Sequence, residues 1–558
     1  MSGTGGTRRA VLRTERGGDI PDREERAVKA GIGVRRNGIW ISVALAALIA
    51  TAATAEWPDE GRPVPARPSI ASVLENLGPG PLPPRPAAGK RANLPKAATV
   101  EDAIDQCVER NISRLDAPGA AVAVILDGEL LYESGYGTKR RDVDTPVDPE
   151  TIFRIGSVTK QMTAAAVMQQ VELGRVDLDA PVTDYIPEFE IGGRWPAERI
   201  TVRHTLTHTT GFPDRVNDYV TVGDQALSTW ARNQGDMELH APPGSFWNYS
   251  NPNFMLAGLV AERASGTPYR DLLKNSVWEP AGMHSTTFDP TEVVQSLNFS
   301  WGHYYDPEDD SEYIISPYDY DSWTLGPAGE AFSTVGDLVR WALLLMDGGG
   351  PILSPASAAT MQYPHQWTHY TPDRFYGFGI MIEEYKGLDV RQHGGNVTGF
   401  GTYLLWVPER RFAVALLTNV SSSLSDAAYC IVDEVLEPTP VDPPDLSTDP
   451  STWTRYVGDY VITDYQGATM EATVYLDGDR LMGATADPTV PGSIATWRAY
   501  QAFLDTFVFD SDGDGTTETD ITFCSTRGRP GIVKWMRNRR AVGERQNRPR
   551  GAGRAISP

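Results

Sequence analysis

Phe153-Arg154-Ile155-Gly156-Ser157-Val158-Thr159-Lys160 leads directly into an alanine-rich run from Gln161 to Leu173. Alanine and unbranched side chains at this density predict a helix, with Ser157 at its start. The three-residue spacing to Lys160 puts both side chains on one face of that helix. A lone hydroxyl is a weak nucleophile. A lysine ammonium beside it, together with the positive helix N-terminus, favours its alkoxide. In isolation Ser-x-x-Lys is common, and a capping serine with a surface lysine explains most such pairs.

Here the pair has company. Tyr249-Ser250-Asn251 closes the stretch from Pro243, and His393-Gly394-Gly395 precedes Asn396-Val397-Thr398-Gly399-Phe400. In this order and at these distances, the three elements resemble those of the penicillin-recognising serine hydrolases. The closest branch is that of class C β-lactamases, D-alanyl-D-alanine carboxypeptidases and related esterases. Further stretches fit the same family: Leu206-Thr207-His208-Thr209-Thr210-Gly211-Phe212-Pro213-Asp214, Glu279-Pro280-Ala281-Gly282-Met283, and Ala328-Gly329-Glu330-Ala331-Phe332-Ser333-Thr334 with Asp337-Leu338. The resemblance spans about residues 100–435.

The resemblance implies roles residue by residue. Ser157 attacks a carbonyl and becomes acylated. Lys160 and Tyr249 share the general-base and general-acid work. Asn251 orients Lys160 and meets the substrate amide. The backbone N–H groups of Ser157 and Asn396, beside Gly395, form the oxyanion hole. Water then releases the acyl group. One position departs from the pattern: His393 stands where class C β-lactamases carry a lysine. A lysine is a permanent cation for a substrate carboxylate, whereas an unperturbed histidine is largely neutral at pH 7. The expected function is thus an exported serine hydrolase of amides or esters, with a D-amino-acid peptide or a small carboxylic ester as substrate. The alternatives are a β-lactamase, or a non-hydrolytic penicillin-binding or sensor protein. A small-molecule or peptide substrate, such as one derived from peptidoglycan, is the expected partner.

The implied fold is α/β: an antiparallel sheet flanked by helices, with a helical lobe. The sequence around the motifs agrees. Val100–Leu115 has a helical apolar face through Ala103, Ile104, Cys107, Val108 and Ile112. Ala120–Leu126 and Glu129–Tyr136 flank Asp127-Gly128, a hairpin signal. Thr402–Val407 and Phe412–Thr418 form a second strand pair. After a Pro-rich linker at 438–450, strand-like runs at Tyr456–Ile462, Met470–Leu476, Arg480–Met482, Phe503–Phe509 and Asp520–Cys524 predict a small all-β domain. The expected organisation is an export segment at 1–55, a Pro-rich spacer at 56–98 and the catalytic domain at 99–437. The linker, the β domain at 451–545 and a basic tail at 546–558 complete it.

Composition narrows the field further. The chain has 558 residues and a net charge of −23, with 50 Lys+Arg against 73 Asp+Glu. Residues 1–55 carry +4 and residues 537–558 carry +6, so the body between them is near −33. Broad phosphate-backbone binding is disfavoured for such a body, and no nucleic-acid partner is expected. Ile39–Ala55 is an apolar run after Arg35-Arg36 that ends in Ala53-Thr54-Ala55, the pattern of a cleavable export signal. Uncleaved, the same run is a membrane anchor, and the expected location is periplasmic, cell-surface or extracellular. Val34 opens an ordinary positively charged segment before it, so a translation start at Val34 is a further expectation.

Two metal-like patterns are incomplete. His204 and His208 are four apart but lack an intervening Glu and a third ligand, so hydrogen bonding near a helix terminus is expected. Asp510-Ser511-Asp512-Gly513-Asp514-Gly515 starts like a Ca²⁺ loop, but Ile521 occupies the position that needs an acidic ligand. No metal or cofactor is expected. Three cysteines exclude a disulfide scaffold. A Cys107–Cys430 bridge and two buried thiols are both open, since both helices are expected to back the same sheet.

Overall fold

The computed structural model describes residues 99–215, 222–306, 311–368 and 374–439, and most of 450–546. The export segment, the Pro-rich spacer and the tail after residue 546 lie outside the described residues, as do linker residues 440–449. So does 511–518, which holds most of the Ca²⁺-like stretch. Among the described residues no helix is long and apolar enough to cross a membrane.

The strands of the catalytic region are β1 (Gly119–Leu126), β2 (Glu129–Arg140), β3 (Val143–Pro146), β4 (Phe153–Arg154), β5 (Gly302–Asp306), β6 (Ser311–Ile315) and β7 (Phe332–Ser333). They continue with β8 (Gln366–Trp367), β9 (Phe375–Tyr376), β10 (Met381–Tyr385), β11 (Leu388–Val397), β12 (Phe400–Val407) and β13 (Phe412–Thr418). Nine of them form one antiparallel sheet in the order β3-β2-β1-β13-β12-β11-β10-β9-β8. Asp127 and Gly128 both have positive φ, 55° and 86°, as a tight turn between right-twisted strands demands.

Side-chain alternation with period two sorts the sheet residues into two cores. Ala121, Ala123 and Ile125 of β1 join Ala413, Ala415 and Leu417 of β13 on the face toward the helical lobe. Ala120, Val122 and Val124 join Phe412, Val414 and Leu416 on the other. The opposite face is covered by α1 (Val100–Arg114) and, later in the chain, by a helix at Ser425–Leu436. Thr99 and Asp102 start α1 with a reciprocal capping box, each backbone N–H bonded to the other's side chain at 3.1 Å. Cys107 and Cys430 are joined by a disulfide that ties these two helices.

On the lobe side, α2 (Thr159–Glu172) is buried almost all round, which explains its lack of a polar stripe. It packs against α3 (Asn251–Ser265), which has Pro252 in its first turn and ends at Gly266 with φ 72°. The helix α4 (Val335–Met346) also faces the sheet, and Trp341 Nε1 donates to Gln161 Oε1 on α2 at 2.7 Å. The helix at Ser425–Leu436 is α5.

The C-terminal strands are β14 (Gly458–Asp464), β15 (Thr469–Asp477), β16 (Arg480–Ala486), β17 (Ile494–Gln501), β18 (Thr506–Asp510), β19 (Thr519–Ser525), β20 (Val533–Arg537) and β21 (Ala541–Arg545). They form a closed barrel, with β14 paired to β21. Tyr456, Tyr460, Val474, Leu481 and Met536 pack inside it. The sequence reading found five of the eight strands and omitted β17, β20 and β21. Strand β21 runs to Arg545, and Gln546 N donates to Asp459 O at 2.8 Å.

Candidate active site

Ser157 lies in a 3₁₀ turn, Gly156–Val158, that runs straight into α2. Its Oγ accepts from Tyr249 Oη at 2.8 Å and from Lys160 Nζ at 3.0 Å. Lys160 is fully buried. Its ammonium also donates to Asn251 Oδ1 at 2.8 Å and to the Ala328 carbonyl at 2.5 Å. The rings of Tyr249 and Phe254 lie 4.9 and 5.7 Å from Nζ. Four of the sequence-predicted residues, Ser157, Lys160, Tyr249 and Asn251, therefore form one hydrogen-bonded group.

Tyr249 and Asn251 are held from beneath. Asp214 Oδ1 accepts the N–H of Asn251 at 2.8 Å, acting as the N-terminal cap that Ser250 does not supply. Ser250 instead donates its hydroxyl to Pro213 O at 3.0 Å. The His208 ring lies 4.3 Å from that of Tyr249 and accepts at Nδ1 from Ser250 N (3.2 Å) and Asn253 Nδ2 (2.9 Å). His208 and His204 do not share a helix face. The helix there spans Val202–Leu206, and His208 follows it with φ 53°. His204 Nδ1 accepts Thr201 N at 3.2 Å, capping that helix.

Across the nucleophile lies β11. Gly395 passes so close that a Cβ there would fall 2.1 Å from the Ile155 carbonyl. One at Gly156, whose φ is 50°, would fall 2.7 Å from Asn396 N. Only glycine permits this approach, which sets the backbone at Gly395-Asn396 directly against the turn that carries Ser157.

His393 is where the arrangement differs most from a lysine at the same place. It is 4% exposed, and its Nδ1 donates to Gly394 O at 2.6 Å. Nε2 is then the acceptor for Tyr376 Oη at 3.1 Å. Burial, reinforced by the Lys160 charge, pushes its pKa down to about 3. The imidazole is neutral throughout the physiological range and both its nitrogens are engaged within the protein. It packs near Tyr249, with ring centroids 6.3 Å apart, and offers no cation to a ligand.

Sequence reasoning missed Ala328, Asp214, His208 as a support, and the buried pair of Arg154 with Glu330. The first acts through a backbone carbonyl, which no side-chain pattern reports. The others act on partners 37 to 176 residues away.

A family model described as Beta-lactamase matches residues 102–435. The unguisins hydrolase ungD' of Aspergillus campestris (strain IBT 28561) is 29% identical over 364 residues, 61% of this chain and 67% of that protein. The octameric penicillin-binding protein homologue from Pyrococcus abyssi is similar in structure over 79% of this chain and 99% of its own, with TM-score 0.55 and 24% identity. A D-stereospecific amidohydrolase from Streptomyces sp. gives TM-score 0.50 and 26% identity, over 60% of this chain and 99% of its own.

Proposed function

The chain belongs to the beta-lactamase family and is a serine hydrolase, and from that premise we propose that it cleaves amides or esters through an acyl-enzyme on Ser157. The observation that carries this reading is the Ser157 hydroxyl held between Lys160 Nζ and Tyr249 Oη. For acylation the pair enters one proton short, with Tyr249 as phenolate beside the Lys160 ammonium; Ser157 Oγ bonds to the substrate carbonyl carbon, its proton passes to Tyr249 Oη, and the carbonyl π electrons move onto the oxygen. The same pair returns a proton to the departing amine or alcohol. The amides of Ser157 and Asn396 stabilise the oxyanion, each donor contributing roughly 3–4 kcal/mol. Asn251 holds Lys160 in place through these changes. Water, deprotonated by the same pair, then attacks the acyl carbon and frees Ser157.

The neutral, fully engaged His393 supports substrates whose recognition does not rest on a carboxylate. A D-amino-acid peptide or a small carboxylic ester fits best. The D-stereospecific amidohydrolase among the similar proteins favours the amide side of this choice. We also propose export, since a disulfide between Cys107 and Cys430 suits an oxidising compartment and Ile39–Ala55 suits a signal. Labelling with a fluorophosphonate tests the site, and a panel of D-amino-acid amides, short p-nitrophenyl esters and nitrocefin tests the substrate class. An adduct at Ser157 with turnover of amides or esters is expected. Absence of both adduct and turnover overturns the proposal.

A further inference from the structure

Arg154 and Glu330 are a buried ion pair, 2% and 4% exposed, with Nη1 to Oε2 at 2.5 Å. Each sits on a segment that touches the catalytic group. Arg154 is three residues before Ser157, and Glu330 is two residues after Ala328, whose carbonyl accepts from Lys160. The two segments run side by side: β4 pairs with β7, and Ile155 N donates to Ala331 O at 2.9 Å. Arg154 also reaches outward. Its Nη2 donates to the carbonyls of Pro317 and Asp319, both at 2.9 Å, and its guanidinium lies 4.4 Å from the Phe332 ring centre. Its own carbonyl accepts from Thr402 on β12, the cross-strand partner of Gly395, at 3.3 Å. One side chain therefore links the nucleophile turn, the loop at 317–319 and the chain that carries the Ala328 carbonyl. A buried charge pair is a poor source of stability, because desolvation offsets most of its Coulomb attraction. Its place in this site suggests another use.

Resting on the acyl-serine reading above, we propose that Arg154 and Glu330 are positioning residues for catalysis, fixing the Ala328 carbonyl and the 317–319 loop against Lys160 and Ser157. The Ala328 carbonyl holds one proton of Lys160 and so sets the direction of the remaining two, toward Asn251 and Ser157. A shift in that carbonyl redirects the ammonium. Charge on Glu330 matters for the same reason. Burial pushes its pKa up to about 7, opposed by Arg154 and Arg270 and reinforced by Asp321, the charged groups that act on it. Protonation of Glu330 releases the charge that holds Arg154, so the slack form is the one favoured below neutrality.

The test uses the full chain and a p-nitrophenyl ester. Glu330→Gln keeps the shape of the side chain without its charge. It is expected to lower kcat on the order of 10- to 100-fold, as a small misplacement at a reacting centre does, with KM within about twofold. It is also expected to abolish the wild-type loss of kcat between neutral and acidic pH. Glu330→Asp is expected to recover part of kcat and the acid limb. The double variant Arg154→Met with Glu330→Leu removes both charges and keeps the volume apolar. It is expected to melt within a few degrees of wild type and yet to retain the low kcat. A double variant with wild-type kcat, or Glu330→Gln with unchanged kcat and pH profile, overturns the inference. If the wild type neither labels at Ser157 nor turns over, the acyl-serine reading itself fails, which is a different result.

Discussion

The two faces of the nine-stranded sheet are built from the same strands and do opposite things. Toward the helical lobe the sheet buries polar groups: Lys160, His393, Arg154, Glu330 and Asn253 are all under 5% exposed, and each has a named hydrogen-bond partner. On the other face, α1 and α5 cover hydrocarbon and are tied by Cys107–Cys430. Polar groups occur there too, and Glu383 pairs with Arg374 and accepts from Tyr429 and Gln392. That network joins the sheet edge to α5 and touches no residue of the catalytic group. The same alternation of side chains thus gives one face whose polar contacts position reacting atoms and one whose contacts hold the sheet together. Lesions on the first are expected to change kcat, and lesions on the second to change Tm.

The largest effect expected belongs to the lobe side. Ser157→Ala loses the nucleophile, and kcat falls by roughly 10³-fold or more while the melting temperature stays close to wild type. A variant that still turns over ester at the wild-type rate would move the site elsewhere. Tyr249→Phe keeps the ring on His208 and removes the hydroxyl. A drop of about 10²- to 10⁴-fold in kcat is expected, read by steady-state kinetics and by slower fluorophosphonate labelling.

On the opposite face, Cys107→Ser with Cys430→Ser is expected to cost about 2–5 kcal/mol in chemical denaturation, with kcat/KM unchanged in the folded fraction. Loss of activity in proportion beyond the unfolded fraction would blur the distinction between the faces. The smallest effect concerns His393. Its folded pKa, about 3, lies below the ordinary unfolded value of ~6.5, so the unfolded chain binds the proton first. Stability from this residue is present above pH ~6.5 and is lost as pH falls toward 3. His393→Gln should flatten Tm against pH in that window. An unchanged slope would show that other groups set it.

How much of this was legible in the sequence depends on how far each contact reaches. Ser157 and Lys160 are three apart on one helix, and their geometry follows from spacing alone. Tyr249 and Asn251 belong to one short segment and were readable as a motif, as was the glycine at 395. The apolar runs of β1 and β13 were legible as strands. Asp214 as a cap for α3 and Glu330 as a partner for Arg154 were not readable, because chain topology, not local pattern, brings them together. The barrel shows the same limit. Ala541–Arg545 (AVGER) carries little strand signal in isolation, and it becomes a strand because barrel closure pairs it with β14.

The pairing of β1 with β13 has a consequence for synthesis. Ala120 lies opposite Thr418, and the disulfide spans 323 positions. At ~5–20 residues per second, a ribosome needs roughly 15–60 s to make the missing neighbour after β1 has emerged. For that interval Val122, Val124 and Ile125 have one hairpin partner and an open edge. Both central strands, and the helices bridged behind them, can dock only after the whole lobe has been made. The nascent catalytic region therefore depends on being shielded until its last strand arrives.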